Sequence, residues 1–123
     1  MAKLLVAEDE ESLLLLAVDN LEMAGYQIET AVNGEEAVEK VKAVMPDVVI
    51  LDMHMPKKTG IEAAKILKSD PKTSHIPIIL LTGSVGEEII NLTKTIGIAR
   101  HMKKPYEPQE LIAVIEELLR KRA

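Results

Sequence analysis

The chain has no cysteine, no phenylalanine and no tryptophan, and its only tyrosines are Tyr26 and Tyr106. Without cysteine there are no disulfides, no thiolate metal ligands and no cysteine nucleophile. Without large rings the core must be built from aliphatic side chains. No apolar run approaches the length of a membrane span. The opening Met1-Ala2-Lys3-Leu4-Leu5 lacks the long apolar region and cleavage site of a signal peptide, so a cytoplasmic location is expected. Positive charge is also in deficit. Lys and Arg number 15 against 20 Asp and Glu, a net charge of −5, which argues against non-specific nucleic-acid binding.

What is present suits one globular domain over residues 1–123. The length supports one core, and 47% apolar with 28% charged residues is ordinary for a soluble fold. There are no internal repeats, linkers or low-complexity segments.

The most informative stretch is Val48-Val49-Ile50-Leu51-Asp52-Met53-His54-Met55-Pro56. A short apolar run, mostly β-branched and bounded by turn signals, reads as a strand buried on both faces. Pro56 stops regular structure, so Asp52 stands where the strand meets a loop. Aspartate is also a common loop opener, and only the rest of the chain decides between the two readings.

Lys3 to Ala7 reads as the first strand and runs into Glu8-Asp9-Glu10-Glu11. Ser12 to Ala24 is a helix stopped by Gly25. Tyr26 to Val32 is the second strand, and Asn33-Gly34 turns the chain into a helix over Glu35 to Met45. After the third strand a helix covers Ile61 to Leu67. Ser69 to Pro77 is polar and turn-rich, a loop. Ile78 to Leu81 is a second fully buried strand, ending in Thr82-Gly83-Ser84. Glu87 to Ile96 is a helix with Ile89, Leu92 and Ile96 on one face, stopped by Gly97. Ile98 to Met102 is the fifth strand, less apolar and nearer an edge, followed by Lys103-Lys104-Pro105. Glu107 to Arg122 is the last helix, with Pro108 in its first turn and Leu111, Val114, Ile115 and Leu118 as its buried stripe. Strand and helix alternate five times, which calls for an α/β fold: a doubly wound parallel sheet with helices on both faces and right-handed crossovers.

In such a sheet the carboxyl ends of the strands lie along one edge, where ligands bind. Glu8 and Asp9, Asp52, Thr82 and Lys104 all follow strands and should converge there. Taken singly, each has a bland reading as helix cap, turn hydroxyl or solvated lysine. Together they place three carboxylates, a hydroxyl and an ammonium at one edge. Like charges so close repel, and a hard divalent cation such as Mg²⁺ suits oxygen ligands of this kind. A carboxylate beside a metal, a lysine and a hydroxyl is a nucleophile prepared for phosphoryl transfer, with an aspartyl phosphate as the covalent product.

On LLVAEDE, VVILDMHMP with Gly60 following, IILLTG and KKPY, essentially the whole chain resembles a CheY-like response-regulator receiver domain of two-component signal transduction. The resemblance implies a flavodoxin-like (βα)5 three-layer sandwich with five parallel strands in the order 2-1-3-4-5. It implies a signalling switch that assists its own phosphorylation and dephosphorylation, not a turnover enzyme. By position, Asp52 matches the phosphoacceptor and Asp9 the direct ligand of Mg²⁺, with Mn²⁺ as an alternative. Glu8 matches the acid acting through water, and the backbone carbonyl of His54 the remaining protein ligand. Thr82 matches the switching hydroxyl and Lys104 the charge-pairing lysine. Two positions depart from the family pattern. Gly83 replaces the usual alanine, and His101 stands at the switch position commonly held by Tyr or Phe. An ordinary edge-strand histidine is the plainer reading of His101.

The implied phosphodonor is a histidine kinase or histidine phosphotransfer protein. It would meet the first helix, where Leu13, Leu14, Ala17, Val18 and Leu21 share one face and Leu15, Leu16 and Met23 fall off it; Leu13 and Leu16 are the candidate contacts. The implied output surface is the face of the fourth helix, fifth strand and fifth helix, where Ile90 and Leu119 lie off their stripes. An aspartyl-nucleophile phosphatase of the haloacid-dehalogenase type is a rival reading, but it needs a second acid where His54 stands. A pure interaction module is another, opposed by the intact Asp9, Asp52, Thr82 and Lys104.

Overall fold

The computed structural model describes residues 1–83 and 86–122, so Ser84 lies outside it. The elements are β1 (Lys3–Ala7), α1 (Glu11–Met23), β2 (Gln27–Ala31), α2 (Gly34–Val44), β3 (Val48–Asp52), α3 (Gly60–Ser69), β4 (Ile78–Thr82), α4 (Glu87–Ile96), β5 (Arg100–Lys103) and α5 (Pro108–Arg122). All neighbouring strands pair in parallel, in the order β2-β1-β3-β4-β5. This is the doubly wound, flavodoxin-like sandwich that the resemblance implies.

The apolar runs explain the middle of the sheet. Every residue of β3 and β4 is buried. Successive side chains point to opposite faces. Leu5, Val49, Leu51 and Leu80 pack with Ala37, Val41, Ala64 and Leu67 of α2 and α3 on one face. Leu4, Val6, Ile50 and Ile79 pack with Leu14, Leu21, Leu111 and Ile115 of α1 and α5 on the other. Full burial of each Val, Leu or Ile among them contributes about 1.5–3 kcal/mol relative to exposure. Both layers are aliphatic at their centres, and Tyr26 and Tyr106 pack half-buried against the second.

Local signals set the helix ends nearest the site. Asn33 caps α2 by accepting from the Glu36 N–H at 2.8 Å. Thr59 and Glu62 form a reciprocal capping box that starts α3. The turn-rich segment 70–77 is a loop, but it buries Thr73, whose hydroxyl donates to the Leu67 carbonyl at 2.6 Å.

One sequence expectation is corrected. β5 begins at Arg100, not Ile98. Gly97 takes a left-handed conformation, and the Gly97 and Ile98 N–H groups both close back on the Thr93 carbonyl. The chain must leave that turn before it can pair, so Arg100 is the first residue in register, opposite Ile79. On the α1 face shared with Leu14, Ala17, Val18 and Leu21, the candidate contact Leu13 is 40% exposed. It overhangs the segment after β5, and Leu14 and Leu21 form the buried stripe. On α4, Ile89, Leu92 and Ile96 are half-buried, with Leu92 and Ile96 packed against the core, and Thr93 is buried. α4 packs on β5 and α3, at the margin of the sheet, and β5 is an edge strand as expected.

Candidate functional site

Glu8 follows β1 directly, and its N–H continues the β2 ladder by donating to the Ala31 carbonyl at 3.0 Å. That tie turns its side chain inward: Glu8 is 7% exposed, whereas Asp9 is exposed. Asp52 is the last residue of β3, opposite Leu81, and is 5% exposed. Thr82 ends β4 and is 1% exposed. Lys104 is carried past β5, where its N–H donates to the Thr82 carbonyl at 2.8 Å and the bond to Pro105 is cis. Each of these residues is placed by a strand pairing, so the sheet itself brings them to one edge.

The side chains converge. Lys104 Nζ lies 3.2 Å from Glu8 Oε1 and 3.3 Å from Asp52 Oδ1. Glu8, Asp9 and Asp52 each offer a carboxylate oxygen, and these oxygens lie within 4.8 Å of one another. Burial is the largest influence on the Glu8 carboxyl, followed by the hydrogen bond and charge of Asp52; together they push it up to about 7. Burial pulls the Lys104 ammonium down, but the charges of Asp52 and Glu8 more than offset this, and its affinity for a proton rises. Two carboxylates therefore share the Lys104 ammonium, with the Asp9 carboxylate beside them. The donor set is all oxygen and carries excess negative charge, which fits a hard divalent cation.

Gly60 brings the start of α3 onto this edge. A Cβ there would stand 2.4 Å from the Asp52 carbonyl oxygen, so only glycine allows this approach. Gly34 does the same for α2, against the Lys58 carbonyl oxygen at 2.0 Å. At Gly83 a Cβ would meet nothing within 4 Å among the described residues, so an alanine would fit there too.

The other expected residues sit around the cluster. His54 is exposed in the loop after β3 and lines a shallow depression with Asp9 and Thr59. His101 lies half-buried on β5, in register with Leu80, whose face of the sheet is covered by α2 and α3 with α4 at the margin. It is not part of the charged cluster. On the opposite face Arg100 pairs with Glu117 of α5, which also meets Lys121 at 3.1 Å. Beside the cluster, Leu13, Leu16 and Ala17 of α1 face Pro105 and Tyr106 across a groove of about 400 Å³ that Glu8 and Lys104 also line.

Two features escape a reading of the sequence. The Thr82 hydroxyl donates to Met53 Sδ at 3.2 Å, and Tyr106 walls the groove. The position of Met53 directly after a strand-end aspartate was the available signal for the first.

A parallel sheet in this order with acids at the ends of β1 and β3 defines a class, and comparison with known proteins agrees. The response regulator receiver domain matches residues 4–116, and the chain belongs to that family, the receiving module of two-component signalling. Among solved structures it is similar to the chemotaxis protein CheY4 of Vibrio cholerae. The two are 33% identical with a TM-score of 0.91, over 97% of this chain and 99% of the other. A Francisella response regulator receiver domain superposes with a TM-score of 0.93 at 26% identity, covering 100% of both chains. Among curated proteins it is similar to the alkaline phosphatase synthesis transcriptional regulatory protein PhoP of Bacillus subtilis, 39% identical over 97% of this chain and 49% of that one. The phosphate regulon transcriptional regulatory protein PhoB of Rhizobium meliloti is 36% identical over 98% of this chain and 53% of its own. The chain thus spans about half the length of the curated relatives it matches.

Proposed function

We propose that this chain accepts a phosphoryl group on Asp52 and uses it to switch partner binding. The observation that carries this reading is the Lys104 ammonium shared between Asp52 at 3.3 Å and Glu8 at 3.2 Å, in a cluster of three carboxylates. An Asp52 carboxylate oxygen attacks phosphorus; the new O–P bond forms as the N–P bond of a phosphohistidine breaks, and the imidazole leaves with the electron pair. Asp9, Asp52 and the His54 carbonyl would hold Mg²⁺, or Mn²⁺, with Glu8 acting through water, and the ion would supply the charge neutralisation that three carboxylates and an incoming phosphoryl group require. Lys104 pairs with the phosphoryl oxygens, and the Thr82 hydroxyl donates to one of them. His101 answers that movement at the α4-β5-α5 face, where the output partner binds, as a population shift between two arrangements.

The phosphodonor is a histidine kinase or phosphotransfer protein. The groove beside α1 supports this: Leu16 is 58% exposed at its rim, and the groove adjoins the charged cluster. Leu16→Glu is expected to slow transfer from such a donor and leave phosphorylation by acetyl phosphate alone. The module acts as a switch, not a turnover enzyme, folds as one domain over 1–123, and works in the cytoplasm without touching nucleic acid itself. No helix among the described residues is long and apolar enough to cross a membrane, and the net charge of −5 supports the last point.

Beryllofluoride, a stable mimic of a phosphoryl group on a carboxylate, tests the site. Calorimetry is expected to show binding to the parent only with Mg²⁺, and none to Asp52→Asn. Equal binding to Asp52→Asn, or binding in EDTA, would refute the reading.

A further inference from the structure

Thr82 is the last residue of β4 and Met53 the first beyond β3, so the two face each other across neighbouring strand ends. The Thr82 hydroxyl is buried and donates to Met53 Sδ at 3.2 Å. Met53 is held on both sides of its peptide. Its N–H donates to the Leu81 carbonyl at 2.8 Å, and its carbonyl accepts from the Gly60 N–H at 2.9 Å. Its side chain is half-buried against the aliphatic core on the α2 and α3 face. The sulfur is therefore a fixed acceptor, not a passing neighbour.

A thioether is a weak acceptor, whereas a charged phosphoryl oxygen is a strong one. We propose that Met53 is a positioning residue. Its sulfur holds the Thr82 hydroxyl in the resting orientation, weakly enough that a phosphoryl group on Asp52 can take the hydroxyl away. This rests on Asp52 being the phosphoacceptor. The sulfur contact exists only in the resting arrangement. Weakening it shifts the population toward the switched arrangement, and strengthening it does the opposite.

Two substitutions separate this role from packing. Met53→Leu keeps the volume and apolar body but removes the acceptor, a swap that cores tolerate well. Met53→Gln keeps the length and offers a stronger acceptor, the amide oxygen. Calorimetric titration with beryllofluoride and Mg²⁺ reads the balance. Met53→Leu is expected to bind roughly two- to five-fold tighter and Met53→Gln weaker by a similar factor, the size of one weak hydrogen bond. Both changes are expected to vanish in a Thr82→Ala background, because the partner is gone. Shifts of the same sign in both variants, no shift at all, or shifts that survive Thr82→Ala would overturn the assignment while leaving Asp52 as acceptor. A parent chain that binds no beryllofluoride would overturn both.

Discussion

Lys104 Nζ stands 3.3 Å from Asp52 Oδ1, reaching from beyond β5 over the end of β4 to the end of β3. The same ammonium meets Glu8 at 3.2 Å, so one lysine ties together residues brought by β1, β3 and β5. The cluster is thus assembled by strand order, and each of its members can be perturbed separately.

Lys104→Met keeps the apolar stem and removes the charge. In metal-free buffer at pH 8 it leaves the Glu8 and Asp52 carboxylates without their ammonium. The expected loss is roughly 1–3 kcal/mol, less than for a fully enclosed pair because solvent reaches the lysine. Urea unfolding at pH 8 and pH 5 measures it, and the loss should be smaller at pH 5. Mg²⁺ binding is expected to persist, while phosphoryl uptake from acetyl phosphate falls by about tenfold or more. Uptake at the parent rate would remove Lys104 from the chemistry.

The Glu8 carboxyl gives a pH signature. It lies at about 7 in the folded chain against an ordinary 4.5, raised first by burial and then by Asp52. Between these values the folded chain keeps a proton that the unfolded chain has released. The stability this contributes is fully present below pH 4.5 and is lost as pH rises through about 7. Denaturant unfolding in EDTA across this range should show that fall, and Glu8→Gln should flatten it. A variant with the parent slope would assign the effect elsewhere.

Gly60→Ala tests how the α3 start is seated. The added carbon would stand 2.4 Å from the Asp52 carbonyl oxygen and 3.0 Å from Met53 Cα, and backbone cannot yield as a side chain can. A destabilisation of about 1–3 kcal/mol is expected, with weaker beryllofluoride binding because Asp52 itself is displaced. Thermal unfolding and the same titration check both. An unchanged melting temperature would contradict the close approach.

Much of this fold is legible in one dimension because its signals are local. Val48 to Leu51 and Ile78 to Leu81 are continuous apolar runs, which is what strands covered on both faces require. Gly25, Gly97 and Pro108 mark helix ends by backbone chemistry alone. Glu8, Asp9, Asp52, Thr82 and Lys104 can be grouped before any coordinates, since a parallel sheet collects its strand ends at one edge. What is not legible depends on packing between elements. Ile98 is apolar and reads as strand, yet the closing turn of α4 claims it. The groove between α1 and the segment after β5, lined by Leu13, Leu16, Pro105 and Tyr106, likewise depends on how those elements pack. The Met53–Thr82 contact needs the register of β3 against β4, which no residue pattern states. The clearance at Gly60 is equally three-dimensional, although a glycine eight residues after a strand-end aspartate marks a place where backbone could approach.

The most direct measurement is intact mass after incubation with acetyl phosphate, with Mg²⁺ and with EDTA, for the parent chain and Asp52→Asn. The expected result is a gain of one phosphoryl group in the parent with Mg²⁺ alone, and none in the variant. A parent that gains nothing while a beryllofluoride titration also shows no binding, or a variant that gains as much as the parent, would contradict it.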